Sequence, residues 1–324
     1  MSLESELAAL AGTYGGSGEP VRHQTRSDSV VVRRGEVVVK AHAVREDVSE
    51  LRARLRACAS AALAGVMLAP LVPEVLTVAG RAVTVWPAGR PISEEEAEHA
   101  PWEEGARLLA RLHAVPPDLL PPLPPAGGPE RAARAVRRLE GDGPAERLVR
   151  RAFEELPEPK VGRSRLPEPK VGRPRLPEPN VGRPGLPEPD VGHPGLPEPE
   201  TGRPGLLTHG DWHLGQLVLR DRWLLIDADD LGVGDPAWDL ARPAAWYAAG
   251  LLDQEVWDRF LGAYLAAGGP ALDGEDPWRR LDLPARAMTA QLAATALSRA
   301  RREGREPDEA EQSLIESCAR IVAA

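Results

Sequence analysis

Residues 206–247 read LLTHGDWHLGQLVLRDRWLLIDADDLGVGDPAWDLARPAAWY, and the predicted fold is organised around them. Two apolar runs in this segment, residues 217–219 and 223–226, are predicted to form short buried strands. The interval between them, Arg-Asp-Arg, is short and polar, as expected for a tight turn. The pattern therefore predicts a β-hairpin, in which the residues before the first strand lie beside those after the second.

Oxygen-bearing side chains stand on both flanks of this predicted hairpin. Asp211 and Gln216 precede the first strand, and Asp227 follows the second, with Asp229 and Asp230 soon after it. Oxygen ligands of this kind suit a hard cation such as Mg²⁺, and Mg²⁺ in turn suits the phosphates of a nucleotide. The sequence therefore predicts a magnesium and phosphate site at the mouth of the hairpin.

The motif HGDWHLGQ, followed by LLIDADDLGVGDPAWDLA, resembles the catalytic segment of the aminoglycoside phosphotransferase family. The family pattern consists of HGD, four residues, an amide that is usually Asn, a hairpin, an Asp at the end of a strand, and then GDP and DLA. Every part is present here in that order. Gln216 is a departure, because most members have Asn there, and the HLGQ variant also resembles bacterial maltokinase-like sugar kinases.

The resemblance implies an α+β, protein-kinase-like fold with two lobes. A small antiparallel-sheet lobe, residues 1–87, would bind the nucleotide. A mainly helical lobe, residues 88–324, would carry the catalytic segment and bind the substrate. The length of 324 residues allows two lobes, or one domain with an insert.

Residues 156–205 would interrupt the second lobe, because they consist of five consecutive decapeptides, the first of which reads LPEPKVGRSR. Fourteen of the chain's 34 prolines lie in these repeats, which argues against a helix and against the interior of a sheet. One Leu and at most one Val in each repeat cannot bury a core. We therefore expect an extended, disordered surface insert, and we favour a tolerated repeat expansion over a docking site for a protein partner that binds Pro-rich segments.

The resemblance also implies roles for four residues of the expected active site. Asp211 would be the catalytic base, or would orient the hydroxyl that is phosphorylated. Gln216 and Asp227 would bind Mg²⁺, and Asp227 would also face the β- and γ-phosphates. Lys40, at the end of the strand in VVVKAHA, would hold the α- and β-phosphates of ATP; from the residues alone, a solvated strand end is equally open.

A kinase-like fold also needs an acid that pairs with the strand lysine. Residues 47–64 have the apolar spacing of a helix, and we predict that Glu50 on this helix pairs with Lys40. Glu46 and Asp47 are the alternatives, and an ordinary solvated helix acid is also open for Glu50.

The remaining nucleotide contacts follow from position in the resembled fold. Ser27 and Ser29 occupy the place of the loop that covers the phosphates. Val85 and Trp86 end a β-rich run before the breaker Pro-Ala-Gly-Arg-Pro, where the resembled fold has a hinge whose backbone binds adenine. A plain linker would have the same composition, so that reading stays open for both residues.

The function that these residues imply is Mg²⁺- and ATP-dependent phosphorylation of a hydroxyl on a small molecule. Three alternatives stay open: a maltokinase-like sugar kinase, a nucleotide-binding but catalytically inactive regulator, and a metallohydrolase built on the His and Asp residues of HGDWH. The metallohydrolase is the least favoured, because the sequence contains no HExxH helix and no HxHxD doublet.

The composition argues against several other classes. A net charge of −9 argues against nucleic-acid binding, which favours a basic face. The chain has no run of about twenty apolar residues, so we expect no membrane span. The N-terminus carries acids rather than a basic leader, and Cys58 and Cys318 are expected to be buried and reduced, so we expect a soluble, cytoplasmic protein.

Overall fold

The computed structural model of the protein describes residues 2–23, 28–93, 96, 100–156, 205–273 and 276–323. Ser27 and residues 157–204 of the repeat insert lie outside this part of the chain. The chain groups into two compact units. One comprises residues 1–127, 206–236 and 259–271, and the other comprises residues 128–205, 237–258 and 272–324. These units group the catalytic segment with the N-terminal sheet and do not divide the chain at residue 87. The lobe boundary at residue 87 therefore stays a prediction.

The first unit begins with helix α1 (Leu3–Thr13) and an antiparallel sheet of five strands in the order β1-β2-β3-β5-β4. The strands are β1 (Pro20–His23), β2 (Val30–Arg34), β3 (Val37–Ala41), β4 (Leu76–Val78) and β5 (Arg81–Pro87). Leu7 and Ala11 of α1 share a buried core with Val39 of β3. Because side chains alternate along a strand, Lys40 projects from the opposite face of the sheet.

Helix α2 (Val48–Cys58) follows β3 and lies where the apolar spacing predicts a helix. Asp47 caps it, because its carboxylate accepts hydrogen bonds from the backbone N–H groups of Ser49 and Glu50. The apolar side of the helix is buried, including Leu51, Leu55 and Cys58. The capping role engages Asp47 with its own helix.

The predicted hairpin of the catalytic segment is present. Strands β6 (Arg90–Pro91), β8 (Leu217–Leu219) and β9 (Trp223–Leu225) form an antiparallel sheet in that order. Two further strands flank the hairpin in sequence: β7 (Leu206–Thr208) precedes it and β10 (Gly232–Gly234) follows it. These two strands pair with each other in an antiparallel arrangement. These two pairings bring the loop that contains His209 and Asp211 beside the loop that contains Asp227.

An aromatic cluster supports the catalytic segment from helix α3 (Trp102–His113). The ring of Trp212 is almost fully buried and stacks on Phe260, with 5.3 Å between the ring centroids. Trp102 meets Trp212 edge-on at 6.3 Å. This packing fixes the residue that directly follows Asp211.

The second unit is helical in the part of the chain that is described. Its helices are α4 (Gly128–Arg137), α5 (Pro144–Glu154), α6 (Ala237–Ala248), α8 (Trp278–Glu303) and α9 (Glu309–Ala323), while α7 (Gln254–Ala266) contributes residues to both units. Val149, Ala293 and Ile315 lie in its core, where the small alanines of α8 permit close helix packing. Cys58 and Cys318 are both free and buried. None of the described helices is long and apolar enough to cross a membrane.

Candidate active site

Lys40 joins two acids of the catalytic segment. Its Nζ donates hydrogen bonds to Oδ1 of Asp227 and to Oδ2 of Asp229, each at 2.7 Å. The lysine side chain is 14% exposed, whereas about a third of each carboxylate is exposed. The strand lysine and the two acids therefore form one charged cluster, which is open to solvent on the side of the acids.

The backbone around Asp227 explains why two acids so close in sequence reach one lysine. Asp227 has φ +65° and ψ +79°, a left-handed conformation that few non-glycine residues adopt. A single 3₁₀ turn, Ala228–Asp230, follows directly. The sharp reversal places the carboxylates of Asp227 and Asp229 on the same side, toward Lys40. Strained backbone of this kind is common at functional sites.

The charges of the cluster shift one another's pKa values. Burial alone would raise the pKa of Asp227, but Lys40 lowers it well below its usual range. Burial and the neighbouring Asp227 carboxylate raise the pKa of Asp229 to about 7, against the opposing effect of Lys40. Burial would lower the pKa of Lys40, but the two acids raise it above its usual value. Lys40 is thus positively charged at neutral pH, and its strongest partner is Asp227.

Gln216 lies directly against Asp227. Its Nε2 donates to Oδ2 of Asp227 at 3.3 Å, and its backbone carbonyl accepts from the backbone N–H of Ile226 at 2.9 Å. The hairpin therefore brings together the two residues that the sequence pairs as magnesium ligands. Their function as metal ligands stays a prediction.

The chemistry of this donor set fits Mg²⁺. Mg²⁺ prefers oxygen ligands and is commonly bound by one or two carboxylates together with the phosphates of a substrate. Asp227 supplies a carboxylate and Gln216 an amide oxygen, so the residues present fit that ion. Within the described ranges, the protein has no cluster of three or more His, Cys, Asp or Glu residues arranged around a common metal position.

His209 holds the loop that carries Asp211. The ring is fully buried, its Nε2 lies 2.8 Å from the carbonyl oxygen of Ile226, and its Nδ1 accepts from the backbone N–H of Asp211 at 3.4 Å. His209 thus ties the Asp211 loop to the strand that ends at Asp227, which fits a positioning role rather than a metal ligand.

Gly210 permits the close approach of these two loops. Its φ is +85°, and a Cβ added to it would lie 2.3 Å from the backbone oxygen of Asp230. Any side chain would therefore meet immovable backbone, in a conformation that L residues disfavour.

Replacing Gly210 by Ala is expected to destabilise the protein by about 2 kcal/mol or more, because strain and collision add. Urea unfolding followed by circular dichroism measures this loss. Gly262→Ala is the matched control, since among the described residues a Cβ there meets no atom beyond its own helix backbone within 4 Å, and it should be neutral or slightly stabilising. Equal stability of the two variants would contradict the close approach at Gly210.

Helix α2 contacts the acidic loop through Arg54 rather than through Glu50. Arg54 is 5% exposed, and its Nε donates to the carbonyl oxygen of Leu231 at 3.0 Å. Its guanidinium also meets Glu50 at 3.0 Å and Glu46 at 4.0 Å. The buried guanidinium therefore joins two acids of the helix region to the end of the acidic loop.

The expected pair between Glu50 and Lys40 is accordingly not the one that the structure shows. Glu50 lies one turn before Arg54 on the same helix face, so the two charges meet directly. Lys40 is instead bonded to Asp227 and Asp229. Arg54 was not identified from the sequence, although a Glu and an Arg four residues apart on a helix predict an ion pair.

The charge of Lys40 affects the pKa of Glu46, which directly precedes the cap of α2. Burial raises the pKa of Glu46, and both Arg54 and Lys40 oppose that shift. Glu46, which the sequence left as an alternative, therefore stays open as a partner of the lysine.

Replacing Arg54 by Met is expected to cost about 2–4 kcal/mol of stability, because it leaves Glu46 and the Leu231 carbonyl without their buried cation. Chemical denaturation monitored by tryptophan fluorescence provides the measurement. Arg52→Met serves as the control, since Arg52 is exposed on the same helix, and we expect a change within about 0.5 kcal/mol. A loss at Arg54 no greater than at Arg52 would contradict the anchoring role.

The residues predicted to contact adenine and the phosphates differ in their burial and in their hydrogen-bond partners. Val85 is fully buried on the face of the sheet that packs on α1, and its carbonyl accepts from the N–H of Leu71 at 2.9 Å. The indole N–H of Trp86 donates to the hydroxyl of Thr84 at 2.9 Å. Ser29 is buried just before β2. Nucleotide binding by these residues stays a prediction.

The chain is similar to known proteins in sequence and in fold. The family model described as APH, phosphotransferase enzyme family, matches residues 17–283. No curated protein sequence matches the chain.

Several solved structures have a similar fold. A choline/ethanolamine kinase family protein from Mesorhizobium loti is 15% identical with a TM-score of 0.57, over 99% of this chain and 94% of that one. Choline kinase LicA from Streptococcus pneumoniae is 10% identical with a TM-score of 0.58, over 99% of each chain. A thermostable mutant of aminoglycoside phosphotransferase APH(4)-Ia, in ternary complex with AMP-PNP and hygromycin B, is 14% identical with a TM-score of 0.55, over 98% of each chain. These similarities confirm the predicted kinase-like α+β fold.

Proposed function

Because the chain belongs to the phosphotransferase enzyme family and is a small-molecule kinase, we propose that it transfers the γ-phosphoryl group of ATP to a hydroxyl of its substrate. The observation that carries this proposal is the cluster in which Lys40 bonds Asp227 at 2.7 Å while Gln216 contacts the other oxygen of the same carboxylate. One cation for phosphates and two oxygen donors for Mg²⁺ are the parts that phosphoryl transfer requires.

Each residue of the site has a distinct task in this proposal. Lys40 binds the α- and β-phosphates, as a charged amine fixed to a strand. Asp227 and Gln216 would hold Mg²⁺, which neutralises the charge of the β- and γ-phosphates when it is bound. Asp211 orients the acceptor hydroxyl and accepts its proton. The oxygen of that hydroxyl forms a bond to the γ-phosphorus, the bond from the γ-phosphorus to the bridging oxygen breaks, and ADP leaves.

The acceptor is a small molecule with a free hydroxyl. Two relatives of known structure bear the name of choline or choline/ethanolamine kinases, and a third was solved with hygromycin B. Amino alcohols and aminoglycosides are therefore the first acceptor classes for this chain. The sequence HLGQ, with Gln216 in contact with Asp227, keeps a neutral sugar as the second candidate.

The test is ADP release with Mg-ATP in the presence of aminoglycosides, amino alcohols and neutral sugars, each assayed separately. We expect sustained turnover with one class, and that class identifies the substrate. No turnover with any class, with Mg-ATP still raising the melting temperature, would contradict the proposal and favour a catalytically inactive nucleotide-binding regulator. Failure of Mg-ATP to bind at all would contradict both.

A further inference from the structure

His42 is a buried histidine next to the charged cluster that the proposed mechanism does not use. It directly follows β3, is 2% exposed, and its Nε2 lies 2.9 Å from Oγ1 of Thr84 on β5. Thr84 in turn accepts from the indole N–H of Trp86 at 2.9 Å. A chain of polar groups therefore runs from Trp86, in the predicted hinge, through Thr84 to His42.

The other ring nitrogen of His42 faces Asp229. Nδ1 lies 3.4 Å from Oδ1 of Asp229, is buried, and makes no regular hydrogen bond to any residue that the structure describes. The second oxygen of the same carboxylate, Oδ2, accepts from Lys40 at 2.7 Å. Asp229 thus lies between the Nζ of Lys40, to which it is hydrogen-bonded, and the Nδ1 of His42, which is close but not hydrogen-bonded to it.

The surroundings determine where the proton of His42 lies. Burial, reinforced by the charge of Lys40, lowers the pKa of His42 to about 3, so the ring is neutral and carries one proton. Lys40 bonds the other oxygen of Asp229 and favours the ionised form of that carboxyl group, which a bare Nδ1 lone pair would repel and an Nδ1–H group attracts. Nε2 is then an acceptor, and the Thr84 hydroxyl can donate to it while accepting from Trp86. The ring therefore presents an N–H group to Asp229.

We propose that His42 is a positioning residue that takes over the Asp229 carboxylate when Lys40 turns from Asp229 to the phosphates of the nucleotide; this inference rests on the proposed function. The movement needed is small, since Nδ1 and Oδ1 are already 3.4 Å apart and a hydrogen bond forms at about 2.9 Å. Without that donor, Asp229 keeps Lys40 and competes with the phosphates.

Two substitutions separate the contacts that His42 makes. The amide nitrogen of Asn stands where Nδ1 stands, so His42→Asn can still donate to Asp229. The amide of Gln reaches one bond further, to the position of Nε2, so His42→Gln keeps the contact to Thr84 and loses the one to Asp229. Both variants bury an amide, so a purely structural role would affect them alike.

The experiment measures the Kd of Mg-AMP-PNP by calorimetry for the full-length protein and both variants, with melting temperatures alongside. Loss of the donor that faces Asp229 predicts that His42→Gln weakens binding by about 10-fold, and that His42→Asn stays within about 3-fold of the unsubstituted protein. In an Asp229→Asn background the His42→Gln effect should largely disappear, because the carboxylate that His42 holds is gone.

The outcomes distinguish this inference from the proposed function. Equal Kd values for the two variants, or an undiminished effect of His42→Gln in the Asp229→Asn background, would overturn the role of His42 and leave the phosphotransferase proposal standing. No binding of Mg-AMP-PNP by the unsubstituted protein would overturn both.

Discussion

Replacing Asp211 by Asn is expected to lower kcat by about 10³-fold while leaving nucleotide binding and melting temperature nearly unchanged. The amide keeps the size and most hydrogen bonds of the carboxylate but cannot accept the proton of the acceptor hydroxyl. The loop itself is held by His209 and by the close approach at Gly210, neither of which depends on the Asp211 carboxylate. The loss should therefore appear in kcat rather than in the fold.

The matched control is Asp221→Asn in the exposed turn of the β8–β9 hairpin. This substitution removes the same charge at the opposite end of the hairpin from its mouth. It should leave kcat within about 2-fold, as expected of a surface position. Steady-state kinetics with the acceptor found in the panel, together with thermal unfolding, measure both variants. An Asp211→Asn enzyme that turns over at the rate of the unsubstituted protein would contradict the assigned role.

Replacing Lys40 by Met is expected to lower kcat/KM by about 10²-fold or more, because the phosphates lose their fixed cation. The same substitution should change how stability depends on pH. Lys40 lowers the pKa of both Asp227 and Asp229, so both values rise when it is removed. The folded variant then holds protons that the unfolded chain releases near its ordinary carboxyl pKa of about 4.

The sign of this effect follows from linkage. A carboxyl with a higher pKa in the folded state stabilises the protein below its unfolded pKa, and that stabilisation is lost as pH rises through the folded pKa. The destabilisation by Lys40→Met should therefore be larger at about pH 8 than at about pH 5. Because about a third of each carboxylate is exposed, we expect an additional loss of only about 1 kcal/mol over that range.

Lys40→Arg is the control for this second prediction. It keeps the positive charge, so the dependence of stability on pH should stay close to that of the unsubstituted protein, while the altered geometry still weakens phosphate binding. Urea unfolding at the two pH values provides the free energies. A Lys40→Met variant whose loss is the same at both pH values would contradict the charge coupling between the lysine and the two acids.

The local pattern of the catalytic segment was sufficient to predict its hairpin and the meeting of its two flanks. Two short apolar runs with a polar turn allow few alternatives, and strand pairing then brings Gln216 to Asp227. The resemblance pointed to Lys40, and alternation along β3 accounts for its position, because Val37 and Val39 are buried and the lysine lies on the other face.

The partners of the charged groups could not be predicted from periodicity. Helical spacing indicates which face carries Glu50, but not that Arg54 on that same face competes for it. The bond between Asp229 and Lys40 depends on the left-handed backbone at Asp227, which a sequence pattern does not reveal for a non-glycine residue. The contact of His42 with Thr84 depends on the register of β3 and β5, which pairs Lys40 with Thr84.

The most direct test of the central claim is to follow the γ-phosphoryl group itself. The protein is incubated with its acceptor and Mg-ATP that is isotopically labelled in the γ-phosphoryl group, and the products are identified by mass spectrometry. The account predicts that the label appears on a hydroxyl of the acceptor, and that the Asp211→Asn variant transfers almost none. Label found only in inorganic phosphate, or equal transfer by the Asp211→Asn variant, would contradict it.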